Sequence, residues 1–251
     1  MGTRERLRAD LGDAVRGPGG PLAAADRLCR ACVDLLAVDG AAVSITHAGT
    51  TQGTFGSSGE VSRRLDEYQF TFGEGPCLDA VTSGRPVLVG DVGDPAGQRW
   101  PAFTQAALDS GVCAVFALPV ALARAPIGAL DLFRNEAGPL TEAGLEGGLW
   151  AAELAALPFL DLLTEVGSAE QVDDSWEQLA SLERVEVYQA TGMIIGQLDV
   201  DAAEALVRLR AYAFSQGLTA SQAAWAIVER RVSLAEEESF RTRSAGKGGP
   251  S

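Results

Sequence analysis

Gly73-Glu74-Gly75-Pro76-Cys77-Leu78-Asp79-Ala80 is the stretch on which the reading of this chain turns. Its glycines open backbone angles closed to other residues. Pro76 suits the first turn of a short helix, which Gly84 closes. Such a turn either offers N–H groups to an anion or is only a turn. Just upstream, Glu60 to Arg64 reads as an exposed stretch. Downstream, Arg85 to Asp91 is a strand by composition, and Pro101 to Ser110 is a short helix capped by Gly111. The apolar runs Cys113 to Leu122 and Ile127 to Phe133, joined by a turn at Arg124-Ala125-Pro126, pair as antiparallel core strands. On the other side, Leu22, Ala25, Leu28, Cys32 and Leu35 predict a helix from Pro21 to about Val38. After the turn at Asp39-Gly40, Ala41 to Thr46 and Thr51 to Phe55 read as a hairpin. From Thr141 to about Leu163 the pattern is helical again, with Pro158 as a kink or break. The expected unit, residues 21–164, is an antiparallel sheet with helices at both ends and a helical middle loop. Residues 1–20 read as a flexible N-terminus.

Residues 165–174 are small and acidic and read as a linker. Beyond them the period is purely helical. Ser175 with Gln178 forms a capping-box pattern, and Trp176, Leu179, Leu182, Val185, Val187, Ala190, Ile194 and Leu198 continue one helix. Asp201 with Glu204 caps a second helix, carrying Ala202, Leu206, Leu209 and Ala213 and ended by Gly217. Thr219 with Gln222 caps a third, with Ala223, Ile227 and Val228. Short loops between three helices imply a compact bundle over 175–234, small enough to lean on a partner. Residues 235–251 read as a disordered tail. The fold class expected is therefore α+β followed by an all-α three-helix bundle.

Composition narrows the function. The 251 residues carry 47% hydrophobic and 22% charged side chains, which supports a real core. No run approaches the ~20 apolar residues that cross a bilayer, and the first ten residues are charged where a signal peptide is apolar, so the cytoplasm is expected and no membrane. Four scattered cysteines do not make a disulfide scaffold. Nineteen arginines against one lysine, with abundant Ala and Gly, suggest a GC-rich bacterial genome. A net charge of −14 excludes a protein that coats nucleic acid by bulk electrostatics, and the 165–234 stretch itself holds 5 basic and 11 acidic groups. Nucleic-acid binding here has to be local.

Several elements in fixed order resemble a GAF domain of the actinobacterial kind over roughly residues 21–164. They are Leu65 to Gln69, the Gly73 to Ala80 stretch, Arg85-Pro86-Val87 with Asp91, Arg99-Trp100-Pro101 with Phe103, and Gly128-Ala129-Leu130. Arg184, Gln189-Ala190-Thr191-Gly192-Met193, Glu204-Ala205, Leu209-Arg210 and the helix Ala223 to Val228 resemble an ANTAR domain. This is the RNA-binding antiterminator module of AmiR/NasR-type regulators, and the likeness spans about 175–232. Together the resemblances imply a cytoplasmic homodimeric regulator in which a sensor governs binding to tandem stem-loops in nascent mRNA leaders. One departure is Thr191, where relatives commonly carry Lys. The alternative is a ligand-binding or protein-interaction dimer whose degenerate ANTAR unit no longer binds RNA.

The resemblance makes Arg184, Thr191, Arg208, Arg210, Arg230 and Arg231 the candidate RNA-binding residues, because arginine bridges phosphates and stacks on bases. Each is equally a solvated helix face. Tyr212 and Trp225 are candidate stacking partners or core. Gly192 and Gly196, four apart, leave a helix face bare for close approach by another helix or by RNA. For the sensor, the resemblance implies a pocket near Phe55, Gln69, Phe72, Cys77, Trp100 and Phe116 for an unidentified small molecule. No cyclic-nucleotide signature and no bilin or haem attachment is legible, and no cofactor is expected. Redox chemistry is the enzymatic alternative, since one GAF-fold group reduces free methionine sulfoxide. It would need Cys77 lowered in pKa at a helix start and Cys113 as resolving partner. Cys29-x-x-Cys32 lacks a second pair for zinc, and one histidine, His47, leaves no Ser-His or Cys-His arrangement. Neither an enzyme nor a metal site is expected.

Overall fold

The computed structural model describes residues 2–47, 50–95, 99–123, 125–167 and 184–235. The chain divides into two compact units, Met1–Glu183 and Arg184–Ser251. No helix among the described residues is long and apolar enough to cross a membrane.

The first unit is built on a five-stranded antiparallel sheet in the order β2-β1-β5-β4-β3. The strands are β1 (Gly40–His47), β2 (Thr50–Ser57), β3 (Val87–Val89), β4 (Ala114–Leu122) and β5 (Ala125–Arg134). The two apolar runs pair as expected, Phe116 opposite Leu132 and Leu118 opposite Leu130. β5 also pairs with β1, Ser44 opposite Ala129. That approach requires Gly128, because a Cβ there would collide with the Ser44 carbonyl.

Successive side chains alternate between the faces of a strand, and the sheet uses both. Val43 and Ile45, Phe116 and Leu118, and Leu130 and Leu132 pack on one face. They meet α2 (Pro21–Leu36) and α6 (Glu142–Gly167) around Leu28, Cys32 and Ala155. Ala42, Val115 and Phe133 point the other way. They pack with residues of α3 (Glu60–Phe72) and α5 (Pro101–Asp109), among them Leu65, Phe103 and Ala107. The short α4 (Pro76–Ser83) lies over the same face, where Cys77 and Val81 meet Ala129.

Three expectations change. The first twenty residues are not all flexible: α1 (Thr3–Val15) packs on α2 and α6. Leu7, Leu11 and Val15 repeat at helical spacing and join the core, with Leu11 fully buried. Arg27 of α2 donates to the carbonyls of Ala14, Val15, Gly17 and Pro18 and so anchors the turn between the two helices. Glu60 to Arg64 is the first turn of α3 and not merely an exposed stretch. Its buried face holds Ser62, Asp66 and Gln69 beside Leu65 and Phe70, so a search for apolar periodicity passes over it. Finally, α6 runs through Pro158 without a break.

The second unit contains α7 (Val185–Leu198), α8 (Ala202–Ser215) and α9 (Ala220–Val228), which all pack on one another. Of the three expected caps, the two that fall on described residues form. Asp201 accepts from the Glu204 N–H at 2.8 Å, and Thr219 exchanges hydrogen bonds with Gln222. Val187, Ala190 and Ile194 meet the interior, with Leu209, Ala213, Ala223 and Ile227 also buried. Of the expected apolar face of α8, Ala202 is instead exposed. The expected start of α7 at Ser175, with Trp176, Leu179 and Leu182, lies outside the described residues, as does most of the expected tail.

The packing of α1 is testable. Replacing Leu11 by Ala should cost about 2–4 kcal/mol in chemical denaturation of the full chain, the usual range for a buried leucine. A loss below about 0.5 kcal/mol, the value for a surface side chain, would remove α1 from the folded unit.

Candidate functional site

On the α3 and α4 face of the sheet lies a buried polar cluster. β1 supplies Ser44, β2 Thr54, α3 Asp66 and Gln69, α4 Cys77 and β5 Asp131. Asp66 and Gln69 share the buried side of α3, and Asp131 stands between Leu130 and Leu132, so strand alternation turns it away from the apolar core on the opposite face.

Gln69 joins the elements. Its amide nitrogen donates to Asp131 Oδ2 at 2.6 Å, and its oxygen accepts the Cys77 N–H at 2.8 Å. That N–H is one of the donors a helix N-terminus leaves without an intrahelical partner. Gly75, with φ +146°, lets the chain pass so close that a Cβ would strike the Gln69 side chain. The remaining links are Thr54 Oγ1 to Asp66 Oδ2 at 2.5 Å and Ser44 Oγ to Cys77 Sγ at 2.9 Å.

The rest of the Gly73 to Ala80 stretch is equally committed. Gly73 ends α3 in the left-handed region, its N–H donating to the Gln69 carbonyl. Glu74 caps α5, its Oε1 accepting from the N–H groups of Ala102 and Phe103 at 2.7 and 3.1 Å. Asp79 pairs with Arg99, whose guanidinium lies 4.8 Å from the Trp100 ring centroid. Of the N–H groups that an anion at this turn would require, those of Gly73 and Cys77 are taken up within the chain.

Electrostatically the cluster holds protons. Burial, and then the Asp66 charge, push Asp131 up to about 8, against the opposing hydrogen bond from Gln69. Burial raises the Cys77 thiol well above its ordinary value, and Asp131 and Asp66 raise it further, while Ser44 pulls the other way. This is the reverse of the lowered thiol that the redox alternative would need, because desolvation and two carboxylates outweigh the helix end.

The six residues expected to line a pocket separate into three places. Gln69 and Cys77 meet in the polar cluster. Phe72 and Trp100 belong to the neighbouring apolar cluster on the same face. Phe55 and Phe116 lie across the sheet, where Phe55 meets Phe159 edge-to-face at 6.0 Å. Asp66, Asp131, Ser44 and Thr54 were not singled out from sequence. The unusual carboxylate within the apolar run Ile127 to Phe133 was the available signal for Asp131.

The candidate RNA-binding residues of the second unit also differ in setting. Arg184 is buried, reaching Ser221 Oγ at 3.4 Å, and Thr191 is buried with its hydroxyl donating to the Val187 carbonyl at 2.7 Å. Arg210 is partly buried, and burial followed by the nearby Arg184 charge lowers its pKa. Arg208 pairs with Glu204 at 2.7 Å and Arg231 with Glu229 at 2.7 Å, while Arg230 is exposed. Tyr212 is partly buried and Trp225 exposed. Val185, Tyr188, Gln189, Gly192 and Gly196 form one exposed face of α7, and a Cβ at either glycine would meet nothing within 4 Å.

The GAF domain family matches residues 22–154, more than half of the chain. The chain belongs to the GAF domain family. GAF domains sense signals and bind small-molecule ligands. Among solved structures, the GAF domain of an Acinetobacter phosphoenolpyruvate-protein phosphotransferase is similar at 14% identity and TM-score 0.51, covering 66% of this chain and 98% of that one. This likeness shows the fold alone. The corresponding domain from Coxiella burnetii is 15% identical with TM-score 0.48, covering 65% of this chain and 95% of that one. A free methionine-R-sulfoxide reductase from Neisseria meningitidis is 16% identical with TM-score 0.48, covering 66% and 92%. No curated protein matches the chain.

The buried Asp131 carboxyl makes stability depend on pH. The folded value of Asp131, about 8, lies above its ordinary 3.8, so the fold gains from the retained proton. That gain is full below the ordinary value and is lost as pH climbs through the folded one. Asp131→Asn keeps the shape without the ionisation. Its stability relative to the parent, measured by urea denaturation in chelator-treated protein, should therefore improve steadily from about pH 5 to about pH 9. A difference independent of pH would show that this carboxyl does not titrate within the fold.

Proposed function

We propose that this chain is a signal-responsive antitermination regulator: the GAF domain senses an unidentified small molecule, and the C-terminal bundle, an ANTAR unit, binds stem-loop RNA in nascent transcripts. It acts in the cytoplasm as a homodimer, so that two modest sites engage two stems at high effective concentration. The reading rests on the ANTAR-like residues, and the observation that carries it is the open face of α7. A glycine in a helix interior costs about 1 kcal/mol relative to alanine. Two of them occupy this face where nothing in the described bundle packs on them. Beside them Tyr188 is exposed, a flat surface on which an unstacked base fits.

The arginines supply the charge in unequal measure. Arg208, half-buried, and Arg231, exposed, each hold a carboxylate near the surface, and exposed pairs of this kind are worth about 0–1 kcal/mol, so a phosphate competes with the acid at little cost. Arg230 needs no such exchange in order to face solvent. Arg184 and Thr191, being buried, act on RNA by shaping the bundle and not by gripping it. On the input side α6, packed against the sheet and last among the described elements of its unit, is the element through which a change at the sensor reaches the chain beyond it.

The test is a titration of the full chain with tandem stem-loops over a salt series. Affinity should fall linearly in log-log form as salt rises, with Arg208→Ala reducing the slope by roughly one. Gly192→Ala should raise the melting temperature, because the added methyl meets open space, and yet weaken RNA binding about tenfold. Absence of binding at every salt concentration would overturn the RNA reading in favour of a partner-binding or ligand-binding dimer.

A further inference from the structure

We propose that Asp66, Cys77 and Asp131 form a binding site for one divalent transition-metal ion, with zinc the best match, in the buried cluster beneath α3 and α4. One ligand atom from each residue lies within 4.8 Å of the other two, and all three residues are buried. Around a tetrahedral zinc, oxygens at about 2.0–2.2 Å and sulfur at about 2.3 Å stand roughly 3.5 Å apart, so modest side-chain rotation closes the set.

A second observation points to a ligand. Asp131, 1% exposed, accepts the Gln69 amide through Oδ2, but its Oδ1 has no hydrogen-bond partner among the described residues. A buried carboxylate oxygen left in this state is costly, and polar groups so placed call for an unseen water or ion. A cation shared with Asp66 and Cys77 satisfies it.

The surroundings have the arrangement of an outer coordination shell. Each prospective ligand has a neutral neighbour within hydrogen-bond reach: Thr54 for Asp66, Gln69 for Asp131 and Ser44 for Cys77. Such partners orient metal ligands and tune their basicity. Two carboxylates with a thiolate suit zinc, or cobalt in its place, whereas magnesium and calcium favour oxygen alone. Three protein ligands leave one tetrahedral position for a water or a small ligand. The residues lie at 66, 77 and 131, so no short spacing in the sequence displays the set.

The experiment uses the full chain, stripped with a chelator and titrated with zinc or cobalt. One equivalent of zinc per chain, retained on desalting and measured by elemental analysis, is expected, with a rise in melting temperature. Cobalt should give a thiolate-to-metal band in the near ultraviolet that Cys77→Ser removes and Cys29→Ala leaves in place. Asp131→Asn, which preserves shape and removes the ionisable group, should fold about as stably as the stripped parent near neutral pH while losing roughly 100-fold or more in metal affinity, beyond what the loss of an outer-shell partner costs. No zinc uptake by the parent chain would overturn the proposal, and so would uptake that persists unchanged in both Asp131→Asn and Cys77→Ser.

Discussion

A single side-chain amide holds the sensor unit's front face together. Gln69 offers its oxygen to the start of α4 and its nitrogen to β5, linking a helix, a helix end and a central strand in one place. Inside a protein such polar links are strong when complete and expensive when broken. The neighbouring sequence is built around this link. Gly75 clears the space that Gln69 occupies, Gly73 turns the chain out of α3, and Glu74 uses the same short segment to cap α5. What reads in the chain as a glycine turn before a short helix is a junction of three helices.

That junction also accounts for the concentration of unusual chemistry on one side of the sheet. The face against α2 and α6 is almost wholly aliphatic and aromatic, stabilised by burial alone. The opposite face mixes an apolar cluster around Trp100 and Phe103 with the two acids and the thiol. This GAF domain thus combines an apolar core behind its sheet with an ionisable, proton-retaining interior in front. The proton affinities of Asp131 and Cys77 follow from placing anions next to one another away from water.

In the C-terminal unit the balance is reversed. Its interior is small and regular, mostly alanine with Ile194, Leu209 and Ile227, and its surface retains Tyr188, Val207, Phe214 and Trp225 as exposed large side chains. The arginines are divided among buried or half-buried positions, surface pairs and the exposed Arg230, so their number in the sequence overstates the charge they present together. A residue's formal charge is a property of the chain. Its availability to a polyanion depends on burial and on the carboxylate one helical turn away.

Local sequence by itself determined the hairpin, the paired apolar strands, α2, the Pro76 helix and both caps of the C-terminal bundle, because periodicity, glycine placement and capping are decided within a few residues. It also carried the marks of the GAF domain. Tertiary structure alone decided that α1 is anchored, since Leu11 needs α2 and α6 to cover it, and that α3 is a helix with a polar inner face. It separated Phe55 and Phe116 from Gln69 and Cys77 by the thickness of a sheet, because alternation along a strand fixes opposite faces but not which of them meets a given helix. It brought Asp66, Cys77 and Asp131 together from distant parts of the chain. Contacts between residues far apart in sequence depend on how whole layers pack, and no local pattern encodes that.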